Sequence, residues 1–302
     1  MNISLVKFSA ELGKDKAKKE DKPKKEDKPV GPYQARESAR VVADDDRLAA
    51  MNDNQKNHPY QYWLNPYLPG PIHKLLTQAK RRIEASRATS PTMAIMSETL
   101  NPLAIGGMGA ALALGGKDRQ DKARDMYEKG PAKYERKERE EDRESAKGQG
   151  YEHTGKGDHS GAMGLTNAAE TSANDKHIAA GEYNREQHKG HYYANPYVSG
   201  PIGLQYNKLM RRSAATRTEY PGLSYAGIPH LGNPLAVGGD NPIGPLLSTS
   251  GLALQTGEGV AGGAEYKTKA RDKFDAVKMK KESNYNLIKF AIQLGQHAAT
   301  IN

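Results

Sequence analysis

Three groups of residues in this 302-residue chain have types and spacings that chemistry could use. Gly257-Glu258-Gly259-Val260-Ala261-Gly262 matches the G-x-G-x-x-G pattern that lets the backbone approach a pyrophosphate at a helix N-terminus. That chemistry needs a strand before the glycines. Here a Gly- and Pro-rich stretch precedes them, and Glu258 stands where the phosphate charge would fall. His153, Asp158, His159, His188 and His191 offer imidazole and carboxylate ligands for a transition metal. Without a cysteine or an H-E-x-x-H helix their spacing fixes no coordination geometry, so exposed histidines are the expectation. The chain has no G-x-S-x-G and no Walker A sequence. It is expected to be no enzyme, with no cofactor, no metal and no small-molecule substrate.

The third group is basic. Lys80, Arg81, Arg82 and Arg87 follow one another along a predicted helix from Ile72 to about Thr89, with Glu84 as the acid among them. Lys208, Arg211, Arg212 and Arg217 do the same, with no acid before Glu219. Guanidinium pairs of this kind suit phosphate contact with DNA, which gives affinity without reading bases. The ordinary alternative is a solvated outer helix face.

The elements that must position these arginines come in two copies. Asp45 to Arg82 matches Asp175 to Arg212 without a gap at an offset of 130 residues. The loop Asn65-Pro66-Tyr67-Leu68-Pro69-Gly70-Pro71-Ile72 returns as Asn195-Pro196-Tyr197-Val198-Ser199-Gly200-Pro201-Ile202. Farther on, NPLAIGG at 101–107 returns as NPLAVGG at 233–239, and KARD at 122–125 returns at 269–272, an offset of 147. Prolines fix the bend of each loop. Tyr62, Trp63 and Tyr67 flank the first loop, and Tyr192, Tyr193 and Tyr197 the second. With Asn65, Pro66, Ile72, Asn195, Pro196 and Ile202 they form a candidate docking peptide for a groove on a neighbour. A duplicated surface of this sort suits assembly better than a catalytic cleft.

Hydrophobic residues make up 36% of the chain, with three phenylalanines and one tryptophan, so little large apolar area is available to offset chain entropy. The expected fold is mainly α with long irregular Gly- and Pro-rich segments. It is read as two tandem repeats, extended and ordered by partners rather than built on one compact core. Residues 1–44 read as a charged, disordered tail, and 45–147 as the first repeat: helix, NPY loop, basic helix, Gly- and Ala-rich run and charged helix. Residues 148–167 read as a Gly- and His-containing linker, 168–282 as the second repeat, and 283–302 as a C-terminal amphipathic helix. The helix of the first repeat is expected near Asp46 to Asn57, and the charged helix from Lys117 to Lys147, broken near Gly130-Pro131, as a solvated strut. The run from Leu103 to Gly116 has small residues four apart, a spacing that permits close helix packing or transient membrane contact, and it is too short to span a bilayer. No apolar leader follows Met1, so synthesis and retention in the cytoplasm are expected.

In character the chain resembles the internal or ejected virion proteins of short-tailed bacteriophages. The likeness rests on the Lys-rich start with Lys14-Asp15-Lys16-Ala17-Lys18-Lys19, the absence of cysteine, the charged helices, and the runs NPLAIGGMGAALALGG and NPLAVGG. It implies a virion protein made in the host cytoplasm, packaged with the genome and aiding its delivery. The implied partners are other virion proteins and further copies of the chain, with DNA and a bilayer as passing contacts. A static virion component and a basic nucleic-acid-binding accessory protein are the alternatives.

Overall fold

The computed structural model describes residues 29–90, 116–151, 161–195, 198, 200–220 and 263–278. The chain before 29, the Gly- and Ala-rich run to 115, Pro196, Tyr197, the G-x-G-x-x-G stretch and the C-terminal helix expected at 283–302 lie outside the described residues. So do His153, Asp158 and His159.

Every regular element among the described residues is a helix: α1 Pro32–Asn57, α2 Pro59–Leu64, α3 Pro71–Thr89, α4 Lys117–Lys129, α5 Ala132–Gly148, α6 Gly161–Gln187, α7 Lys189–Ala194, α8 Pro201–Glu219 and α9 over 264–278. The mainly α expectation holds for these residues. α2 and α3 recur as α7 and α8 with identical lengths at the 130-residue offset, and α6 is the counterpart of α1.

Two boundaries move. α1 starts at Pro32, not near Asp46, so the charged tail does not reach residue 44. Pro32 occupies the first helical position, where its missing N–H costs nothing, and the Gly31 N–H donates to Gln34 Oε1 at 3.0 Å. A buried stripe of Ala35, Ala39, Val41 and Ala43 then carries the helix forward. Its small residues are hidden in sequence among Arg36, Glu37 and Arg40, which are themselves tucked in, Arg40 donating to Glu37 at 2.9 Å. Likewise the linker ends by Gly161, because Ala162, Met163 and Leu165 are core residues of α6.

α1 and α6 are the central pair. α3 and α4 pack on α1, α5 and α8 pack on α6, and the short α2 and α7 cover the ends of α1 and α6. The two copies lie against one another in place of the extended arrangement expected. The reason is alanine: Ala39 and Ala180 share a cluster with Tyr127, while Ala50 and Ala169 share one with Phe274. Side chains this small let helix backbones approach closely, so a packed interior needs little aliphatic bulk. The charged α4 and α5 do break at Gly130-Pro131, but they are no solvated strut, because Ala123, Tyr127, Ala132 and Ala146 are fully or nearly fully buried.

Both α1 and α6 stop at a histidine. His58 precedes Pro59 and has left the helical region at φ −133°, ψ 52°. His188 has nearly the same angles, although Lys189 follows it, so packing and not proline alone sets the break. The glycine of each GPI loop is required by close approach. A Cβ on Gly70 would lie 3.1 Å from the Tyr62 carbonyl oxygen, and one on Gly200 would lie 2.9 Å from that of Tyr192. Gly200→Ala should therefore cost about 1–3 kcal/mol in urea unfolding. Gly190→Ala, in open space on α7, should be neutral or slightly stabilising.

Candidate docking surface and the charges beneath it

The arginines read as a phosphate-binding face are largely structural. Asp45 on α1 accepts a hydrogen bond from Arg124 Nε of α4 at 2.7 Å and forms an ion pair with Arg81 of α3, Nε to Oδ1 also 2.7 Å. In the second copy, Asp175 on α6 accepts Arg271 Nε from α9 at 2.6 Å and lies 3.2 Å from Arg211 NH1 of α8. Residues 45, 81 and 124 correspond to 175, 211 and 271 through the two sequence offsets, so one three-helix clasp is built twice.

The copies differ in wetness. Asp45, Arg81 and Arg124 side chains keep 24%, 20% and 39% of their exposure, whereas those of Asp175, Arg211 and Arg271 keep at most 3%. Around the dry clasp, Lys267 donates to Asp142 of α5 at 2.5 Å, Arg271 forms an ion pair with the same carboxylate at 2.8 Å, and Arg211 forms one with Glu138 at 2.9 Å. Arg211, Arg271 and Lys267 thus meet Asp175, Asp142 and Glu138, with Arg139 of α5 a fourth cation 3.8 Å from Asp175. Burial alone would raise the Asp175 carboxyl, but Arg271, Arg211 and Arg139 overturn that and hold it well below the usual carboxylate range.

The other cations sort by place. Lys80 lies 3.5 Å from Glu84 and 3.9 Å from Asp44, and Lys208 donates to Glu182 at 2.9 Å. Arg217 is buried and Arg87 half-buried, while Arg82 and Arg212, equivalent in the two copies, are exposed. Apart from Glu84, which is on the same helix as Lys80, the carboxylates paired with these cations lie on other helices, distant in sequence.

The candidate docking residues also divide. Tyr62 and Tyr192 are buried, Tyr192 in a cluster with Ile178 and Leu204. Asn65 and Asn195 hold loops in place. The Asn65 side-chain oxygen accepts the Tyr67 N–H at 3.0 Å, and Asn195 Nδ2 donates to the Tyr33 hydroxyl at 2.5 Å. Leu68 packs on Ala162 and Met163 at the start of α6, so the first loop docks within its own chain. Pro66 is exposed.

Trp63, Tyr193, Ile72 and Ile202 face outward at 62–73% exposure, and Tyr67 is 40% exposed. In the first copy Tyr60, Leu64, Leu75 and Leu76 join them, each at least half exposed. Ile72, Leu75 and Leu76 are therefore not on the face that α3 buries. The helix is anchored by Ala85 and Ala88 in its second half, and its first half projects. The second copy has Gly190, Ala194, Gln205 and Tyr206 at the places of Tyr60, Leu64, Leu75 and Leu76, so the two ends are unequal.

Among the described residues, no group of three His, Cys, Asp or Glu side chains could hold a metal ion, and no helix is long and apolar enough to cross a membrane. No family model, no curated protein and no solved structure matches this chain.

Asp175→Asn should cost about 3–5 kcal/mol in urea unfolding, because it removes one carboxylate from a dry cluster and leaves Arg211, Arg271 and Lys267 to share Asp142 and Glu138. Asp45→Asn, in the wetter clasp, should cost about 1 kcal/mol or less. The sign of the pH dependence follows from the depressed Asp175 carboxyl, and from Asp46, where burial is outweighed by Lys176 and Lys278. Their contribution is complete above the unfolded carboxylate value of about 4 and is lost as pH falls below it. Chemical denaturation from pH 7 to pH 2 should show that loss, with a shallower slope in Asp175→Asn.

Proposed function

We propose that this chain is a structural assembly protein that docks onto neighbours through the projecting α2–α3 end of its first copy and, more weakly, the α7–α8 end of its second. Its setting, on this reading, is the virion of a short-tailed bacteriophage, internal or leaving with the genome. The observation that carries the docking is the joint exposure of Tyr60, Trp63, Leu64, Ile72, Leu75 and Leu76 on one end of the molecule. Large apolar side chains exposed together on two consecutive helices mark an interaction site, with the aromatic ones as its anchors. Lys56 and Lys74 border it and the stretch has no acid, so the favoured neighbour presents an apolar patch rimmed by carboxylates. Burial of that end on a neighbour, or on further copies of the chain, is the ordering by partners that its composition calls for.

The virion setting is supported by the sequence character described above. A static place in the particle is compatible with the same surface. The nucleic-acid alternative is weakened, since Arg81 and Arg211 are engaged by Asp45 and Asp175 and each arginine pair leaves one member exposed, Arg82 or Arg212.

Mass spectrometry of purified particles, full and emptied of DNA, tests the setting: presence in full particles and loss on emptying is expected for an ejected protein. Absence from both overturns the virion reading. A Trp63→Ala, Leu75→Ser variant tests the surface. It should fold with stability within about 0.5 kcal/mol of the parent, because both side chains are exposed, and fall at least tenfold in particle incorporation.

A further inference from the structure

The contacts between the two copies are reciprocal. Asn54 Nδ2 donates to the Ala162 carbonyl at 3.1 Å, and its equivalent Asn184 donates to the Pro32 carbonyl, the equivalent of Ala162, at 3.2 Å. Ala39, Ala180 and Tyr127 share one cluster, and their equivalents Ala169, Ala50 and Phe274 share another. Contacts of i with j and of j with i are the mark of a two-fold interface, here closed within one chain.

A residue that touches its own equivalent must lie on the axis of such an interface. Asp46 and Lys176 are separated by the 130-residue offset, and Lys176 Nζ lies 2.8 Å from Asp46 Oδ2, both side chains being 5% exposed or less. The duplicated position has opposite charges in the two copies. Ser172 Oγ donates to Asp46 at 2.9 Å and accepts from Lys176 at 3.0 Å, Glu135 accepts from Lys176 at 2.9 Å, and the half-exposed Lys278 lies 3.7 Å from Asp46.

We propose that Asp46 and Lys176 are specificity determinants that make the face between the copies selective for the unlike copy. Two first copies would set Asp46 against Asp46, and two second copies would set Lys176 against Lys176. Like charges on a desolvated axis reject those pairings, as single polar positions fix partner choice in coiled coils. The alanine-lined contacts recur in both copies and select nothing, whereas the Arg47–Glu170 pair at 2.9 Å across the same face has His177 and Arg40 as its equivalents, so two first copies would set Arg47 against Arg40 and the pair favours the same unlike pairing. A chain therefore closes on itself, or exchanges copies with a second chain in the same unlike pairing.

Full-length Asp46→Lys and Lys176→Asp variants test this. Each carries like charges on the axis when it closes on itself, while an exchanged pair of the two variants restores Asp against Lys at both axes. After refolding together, with one variant isotopically labelled, native mass spectrometry should show the mixed pair at least tenfold over either same-variant pair. Refolded alone, each variant should melt below the parent, and the Asp46→Lys, Lys176→Asp double variant should regain at least half of the combined loss and form no mixed pairs with the parent. Absence of an excess of mixed pairs, whether the single variants fold or not, overturns the proposal. A double variant that loses the sum of the single effects overturns it as well.

Discussion

A carboxylate taken out of water must be paired, and the architecture of this chain follows from where that demand is met. Asp175 sits on the central helix α6 and reaches arginines on α8 and α9, so three helices remote in sequence are fixed to one another through one side chain. Asp45 does the same for α1, α3 and α4. Removing water strengthens these attractions and also makes any missing partner costly, which gives the pairing directional authority that alanine contacts lack.

The apolar residues are distributed in a complementary way. Alanines line the interior and bring the helices close enough for short charged contacts, while the large side chains Trp63, Leu75 and Ile72 are left outside. A chain that leaves several bulky apolar groups outside while it buries Arg40, Arg211, Arg217 and Arg271 departs from the usual partition of a globular protein. The partition makes sense for a molecule whose own packing is handled by small residues and ion pairs, and whose bulk is reserved for neighbours.

The mainly helical character, the duplication and the break at Gly130 were legible because each is a local signal: periodicity, identity at fixed offset, and a Gly-Pro pair. The start of α1 was not, since its core stripe is alanine set among charges that read as solvated. The role of Arg81 and Arg211 was equally hidden. A guanidinium on a helix looks the same in sequence whether it faces a phosphate or an aspartate of another helix, and Asp175 lies 36 residues from Arg211 and 96 from Arg271. Comparison of the two copies was the available clue, because Asp45, Arg81 and Arg124 recur together as Asp175, Arg211 and Arg271. The docking loop was half legible: its aromatic content marked it, but only packing separates inward Tyr62 from outward Trp63.

The central claim is that the two copies form one body through the α1–α6 face. Native-state hydrogen exchange measures this directly, since amides that open only with global unfolding report a shared cooperative unit. The slowest amides of α1 and α6 should exchange with the same opening free energy and the same denaturant dependence. Slow exchange in α6 with α1 opening independently at much lower free energy would contradict the account.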